Sequence, residues 1–243
     1  MLVEHMQMKR FIIIILIAFT SQVVSAQLFS KERVRNLQNF DKKRLSYGYI
    51  LGFNNYTFNF DYNAEAFEED IIVKNEIITG FNVGLLGNLR INDYLDLRLE
   101  PMVTFSQRDL EFTDPEIEDD FRFREVNSTY IHIPLLLKVS TKRLNNFKPF
   151  IVGGLSTSLN LSSNEDNPDD NQDGQFRMTT STSYFELGFG IDFYLYYFKF
   201  TPSIRGIFAS SDELVRDDDP LSPYTRGIDK LKTQGIFINF TFQ

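Results

Sequence analysis

No cysteine occurs anywhere in the chain, which excludes a disulfide framework, a thiolate metal site and attachment of lipid to a cysteine. Tryptophan is absent as well, and histidine occurs only twice, at His5 and His132. Basic residues are too few for a nucleic-acid partner: the formal charge is -8, with no basic face to displace counterions from a phosphate backbone. Long apolar runs are equally scarce. The one candidate, Phe11 to Phe19, is about half the ~20 residues that a membrane-crossing helix needs.

That short run belongs to a leader. Lys9 and Arg10 precede it, and Val24, Ser25 and Ala26 place small residues before Gln27, which is the plan of a signal peptide spanning 1–26. A basic stretch follows at 27–45, with Lys31, Arg33, Arg35, Lys42, Lys43 and Arg44. It reads as a solvated periplasmic arm. With no apolar helix in the rest of the chain, a membrane location requires a closed barrel over 46–243, because lipid offers no partner to unpaired backbone groups.

What the chain has in quantity is aromatic residues, 25 Phe and 11 Tyr, set in period-two segments. In the last, Ile236, Ile238, Phe240 and Phe242 alternate with Phe237, Asn239, Thr241 and Gln243, resembling the closing strand of an outer-membrane barrel. Phe240 and Phe242 are then its assembly signal. Seven earlier segments are read the same way: 46–61, 78–91, 94–107, 129–141, 147–161, 185–195 and 198–209. In the first, the apolar set changes parity at Asn54 and Asn55, as a β-bulge would cause. The expected fold is an all-β, eight-stranded antiparallel transmembrane up-and-down barrel. Its connections alternate between short turns and long loops that hold most of the 33 acidic residues, giving short periplasmic turns and long acidic extracellular loops. Tyr47, Tyr94, Phe147, Tyr196, Tyr197 and Phe242 collect at the short-turn ends, as an interfacial girdle does.

A soluble lipocalin-like ligand-binding barrel would have the reverse dressing, apolar inside and polar outside. The charged set Arg90, Asp96, Arg98, Glu100, Lys138, Glu186, Asp192, Lys199 and Arg205 favours the membrane barrel, in whose interior these groups can pair. A barrel of eight strands is filled by its own side chains, so no open pore and no small-molecule substrate are expected.

Candidate chemistry is sparse. His132 falls on the predicted inner face, and a lipid-modifying enzyme built on it needs a nucleophile that spacing does not reveal. Asp169, Asn171, Asp173 and Gly174 match the start of a calcium loop, but Thr180 stands where the closing Glu belongs, so they are weak metal candidates. Gly153 and Gly154 lack the lysine of a phosphate loop and read as close packing in a narrow barrel. No cofactor and no catalytic residue is assigned.

The block Asn36-Leu37-Gln38-Asn39-Phe40-Asp41-Lys42-Lys43-Arg44, running into Leu45 to Asn55, resembles the PorT family, called SprT in gliding bacteria. Tyr130-Ile131-His132-Ile133-Pro134-Leu135-Leu136-Leu137-Lys138 is similar to a segment shared by wider PorT-like barrels. The resemblance spans essentially the whole mature chain. It implies a non-enzymatic outer-membrane component required for protein secretion by the type IX secretion system of Bacteroidetes, and for gliding motility where present. Its partners would be outer-membrane lipid and other type IX components.

Overall fold

The computed structural model describes residues 34–63, 71–167 and 176–243, of which 36–243 form one compact unit. The predicted leader, residues 27–33 of the basic arm and the calcium-like residues Asp169, Asn171 and Asp173 lie outside the described residues.

Alternating side chains produce the expected strands: β1 (Leu45–Tyr62), β2 (Val73–Arg90), β3 (Leu95–Leu99), β4 (Met102–Phe112), β5 (Phe123–Ser140), β6 (Phe147–Asn160), β7 (Ser181–Tyr194), β8 (Lys199–Ala209) and β9 (Ile228–Phe242). All neighbours are antiparallel, and β1 pairs with both β2 and β9, so the sheet closes on itself and no edge remains. Segments β3 and β4 together make one crossing. The ladder is interrupted at Glu100 and Pro101, where proline has no N–H to donate. Around the break the Pro101 carbonyl accepts from the Leu85 N–H at 2.9 Å, and the Glu100 N–H reaches the Pro134 carbonyl at 3.1 Å. Facing does not change across it: Asp96, Arg98, Met102 and Thr104 are all buried on the inner side.

The wall is apolar outside. Leu85, Phe53, Leu135, Leu155, Leu187, Phe189 and Ile236 are each at least half exposed, on six different strands of the ring. At roughly 1.5–3 kcal/mol for each such side chain transferred out of water, this belt is stable only against lipid. Phe81 stacks on Phe105, Phe185 on Phe208 and Tyr49 on Phe242, with ring centroids 4.6, 5.0 and 5.1 Å apart. These cross-strand pairs hold register on the outer surface.

The parity change read at Asn54 and Asn55 is not a bulge. Alternation continues unbroken along β1 and its register with β9 runs evenly from Tyr49 to Asp61. Tyr56 and Phe58 are buried, Asn55 and Asn59 exposed. What inverts is the solvent outside the wall: lipid below this level selects apolar residues outward, and water above it selects them inward. The bulge lies on the facing strand. Between Ile78 and Phe81, β2 spends three steps against two on β4. Gly80 sits in it, where an added Cβ would fall 2.0 Å from the Phe105 carbonyl oxygen. That carbonyl is taken by the Asn54 side-chain amide at 3.0 Å.

Above the belt the strands therefore continue further than predicted. Val73, Leu110, Phe112, Val126 and Leu231 extend β2, β4, β5 and β9 beyond the segments read from sequence as strands, and pack with Phe58, Ile117, Phe176, Met178, Leu214, Tyr224 and Ile228 in one buried cluster. The extracellular end is thus a cap with an apolar core. Of the two adjacent glycines, only Gly154 is required by packing, since its Cβ would lie 2.2 Å from the Leu135 carbonyl oxygen; around Gly153 the nearest atoms are at 3.4 Å.

Candidate functional site

Inward positions of β3, β5, β7 and β8 carry the chemistry, because the period of two that sends leucine and phenylalanine to the belt sends the intervening residues into the lumen. Arg205 holds the centre. Its guanidinium lies 2.8 Å from Glu100 and 2.9 Å from Glu186, and Arg98 reaches the other Glu100 oxygen at 2.8 Å. Glu186 meets His132 Nε2 at 2.8 Å, and His132 Nδ1 lies 2.6 Å from Ser158 Oγ. With Nε2–H donating to the carboxylate, Nδ1 accepts the Ser158 hydroxyl proton.

Ser158, His132 and Glu186 therefore have the connectivity of a hydrolase triad. Their surroundings differ from one. Exposures are 2 %, 0 % and 3 %, and Arg205 occupies the second Glu186 oxygen, leaving no approach for a substrate carbonyl. The serine was not identifiable from spacing, because β5 and β6 are brought into register only by the sheet, which pairs His132 with Ser158.

Below this group Lys138 binds Asp192 at 2.6 Å, Thr201 donates to the other Asp192 oxygen at 2.8 Å, and Lys199 lies 3.9 Å away. Asn88 donates to Asp96 at 3.4 Å. Of the nine charged residues read as one interior network, Arg90 is separate: it pairs with Asp93 in the adjoining turn, and its side chain is 30 % exposed. The other eight are buried, and their four cations, Arg98, Lys138, Lys199 and Arg205, balance four carboxylates.

Arg108 belongs to the interior too, although the third segment was ended at Gln107. It is fully buried, donates to Tyr130 Oη at 2.6 Å and Ser128 Oγ at 3.1 Å, and lies 3.9 Å above the Phe58 ring. Alternation of Arg108, Leu110 and Phe112 with Asp109 and Glu111 was the signal that could have placed it.

Both ends of the lumen are covered. At the top, the β8–β9 connection turns inward and buries Glu213, whose carboxylate accepts from the Thr233 N–H at 3.1 Å and hydroxyl at 2.7 Å. Arg226 clamps Asp114 at 3.0 and 3.1 Å and reaches Glu116 at 3.2 Å. Burial raises the Glu213 carboxyl above the usual range, against the lowering effect of the Thr233 hydrogen bonds and the Arg108 charge. A raised carboxyl binds its proton more readily in the folded cap than in the unfolded chain. Cap stability is then greatest below the unfolded value of about 4.3 and falls as pH rises through the folded one. Hydrogen exchange of the β9 amides near Thr233 should quicken across that window more than base catalysis alone dictates, and Glu213→Gln should remove the excess.

At the bottom, residues 36–44 are not the free arm expected from their charge. They cross the periplasmic mouth. The Asn36 N–H donates to Asn146 Oδ1 at 2.9 Å, its side-chain amide donates to the Tyr194 carbonyl at 3.0 Å, and Tyr194 Oη donates to Asp41 at 2.6 Å. Arg143 pairs with Asp41 at 3.3 Å and stacks 3.7 Å above Tyr194, while Phe40 receives Lys199 at 4.6 Å over its ring. A short 3-10 turn, Phe40–Lys42, supplies the geometry. The basic character persists at Lys42, Lys43 and Arg44, which remain exposed.

A closed antiparallel ring with an apolar exterior and a paired polar lumen matches the family model described as outer membrane protein beta-barrel domain over residues 25–214. The chain belongs to that family. It is accordingly a protein of the bacterial outer membrane, and its belt is the surface that lipid covers. Among solved structures, this outer-membrane barrel is similar to Neisserial surface protein A (9 % identity, TM-score 0.43, covering 82 % of this chain and 98 % of that one). It is similar also to OprG of Pseudomonas aeruginosa (15 %, 0.43, 83 % and 97 %) and Ail of Yersinia pestis (11 %, 0.37, 82 % and 99 %). No curated protein matches it.

Proposed function

We propose that this barrel is a non-enzymatic component required for protein secretion by the type IX system, acting through contacts of its two covered ends with other components of that system. One structural observation carries the non-enzymatic, non-channel part of the reading: the lumen is crossed by Arg98, Glu100, Arg205, Glu186 and His132 in continuous contact, and its mouth is covered by residues 36–44. A filled barrel leaves its outer surfaces for function. The specific system rests on the resemblance of residues 36–55 to the PorT family, and the same block supplies the segment seated across the periplasmic mouth. A deletion strain should retain cargo proteins inside the cell, and re-expression of the wild-type or His132→Ala barrel should restore export. Normal export without the gene would exclude the secretion role. Export restored by wild type but not by a properly inserted His132→Ala barrel would favour a lipid-modifying enzyme using Ser158 and Glu186.

A further inference from the structure

Residues 36–44 hold cations in place over the periplasmic mouth. Lys42, Lys43 and Arg44, with Lys142 in the β5–β6 turn, are exposed, and none has a carboxylate partner among the described residues. The side-chain carboxylates described at this end are already taken: Asp41 by Arg143 and Tyr194, Asp93 by Arg90. A free basic arm lets its charges spread apart in water. Here the Asn36 contacts to Asn146 and Tyr194, the Tyr194–Asp41 hydrogen bond and the Arg143–Asp41 pair seat the strap, so consecutive like charges stay together. Their mutual repulsion is a cost that an anionic partner offsets, and the ordering of the strap is complete before that partner arrives.

We infer that the seated strap is a docking surface for an acidic segment of a periplasmic protein. Position separates this partner from lipid. Lys43 lines the mouth crevice with Lys199, Asp192 and Tyr194, and its ammonium lies 5.6 Å from the Phe40 ring, which itself receives Lys199. The strap therefore faces the periplasm across the lumen, whereas phospholipid surrounds the barrel beyond the outward Leu45, Tyr47 and Tyr49, each at least half exposed. Charge separates the two ends of the barrel. The extracellular end exposes Asp119, Asp120, Asp218 and Asp219, so an acidic segment is repelled there and attracted to the strap. The inference deepens the proposed role through protein contacts and rests on it for the partner's setting, while the surface itself is measured without export.

The experiment titrates the full barrel, in phosphatidylcholine nanodiscs, with fluorescein-labelled octaglutamate peptide, and octaglutamine serves as the control. The wild type should bind octaglutamate at about 0.1 M salt and lose most of the affinity at about 1 M, where the screening length falls from ~10 Å to ~3 Å. Replacing Lys42, Lys43 and Arg44 together with glutamine should weaken binding roughly tenfold, with the heat-modifiable mobility of a folded barrel retained. Asn36→Ala combined with Asp41→Asn releases the strap while adding one net positive charge; a seated surface then binds roughly threefold more weakly, whereas net charge alone makes binding tighter. If the release variant does not insert, the glutamine variant, which removes none of the seating hydrogen bonds, carries the comparison. No binding by the wild type, equal binding of octaglutamine, unchanged binding in the glutamine variant or tighter binding after release overturns the assignment. Selective retention of phosphatidylglycerol from mixed vesicles, lost in the glutamine variant, gives these cations to lipid instead. Intact peptide binding alongside normal export in a deletion strain would remove the secretion role and leave this surface standing.

Discussion

Replacing Arg205 with methionine should destabilise the barrel by about 3–5 kcal/mol, the cost of leaving a buried charge without its partner. Arg205 is the shared cation of Glu100 and Glu186, at 2.8 and 2.9 Å, and all three are nearly inaccessible. Its removal leaves two carboxylates facing each other across a closed lumen, with only Arg98 and His132 to compensate. The loss should appear as a lower urea midpoint for the heat-modifiable form in vesicles. Adding Glu186→Gln to Arg205→Met should recover much of it, because the neutral amide removes the carboxylate left without a cation while Glu100 keeps Arg98 at 2.8 Å. An Arg205→Met barrel as stable as the wild type would show that the lumen is solvated and that these contacts do not hold it together.

Phe112→Ala should loosen the extracellular cap by about 3–5 kcal/mol while the membrane belt stays folded. Phe112 is 2 % exposed, meets Tyr224 edge-on at 5.4 Å and lies 6.2 Å from Phe176, so truncation leaves a cavity that the surrounding strands can fill only in part. Phe123, on the neighbouring strand at the same end, is 50 % exposed, and Phe123→Ala should stay within about 0.5 kcal/mol. Limited proteolysis from outside distinguishes them: the first variant should be cleaved in its extracellular connections with the belt intact, the second should resemble the wild type. Equal resistance of the two variants would deny that the cap has a core of its own. Leu110 and Leu231, both fully buried, belong to that core, and their strands continue the barrel wall.

Much of this architecture was legible in the residues. Ile236, Ile238, Phe240 and Phe242 do line the outer surface of the closing strand, which pairs with β1 as its place in the chain requires. Short turns such as the one at Asn92, whose side chain accepts from the Tyr94 and Leu95 N–H groups at 2.8 and 2.9 Å, fall where the pattern breaks. Two readings went astray for one reason. The apparent bulge at Asn54 and the loop assigned to residues 108–128 both assumed a single solvent along the wall, so an inward turn of the apolar set looked like a change in backbone or the end of a strand. The docking of residues 36–44 was hidden differently, since a basic composition does not show that Asp41 and Phe40 find Tyr194, Arg143 and Lys199 across the mouth.

By itself, the sequence determined the alternation, the strand order and the separation of apolar belt from polar lumen, because a period of two and the lack of unpaired edges leave a closed antiparallel sheet as the arrangement that lipid permits. Only the tertiary structure decided which lumen groups meet. Ser158, His132 and Glu186 stand on three strands, and Arg98, Glu100 and Arg205 come from a broken crossing and one on the far side of the ring. Such contacts depend on register and on the curvature of closure, and neither is encoded in the spacing of residues along any one strand.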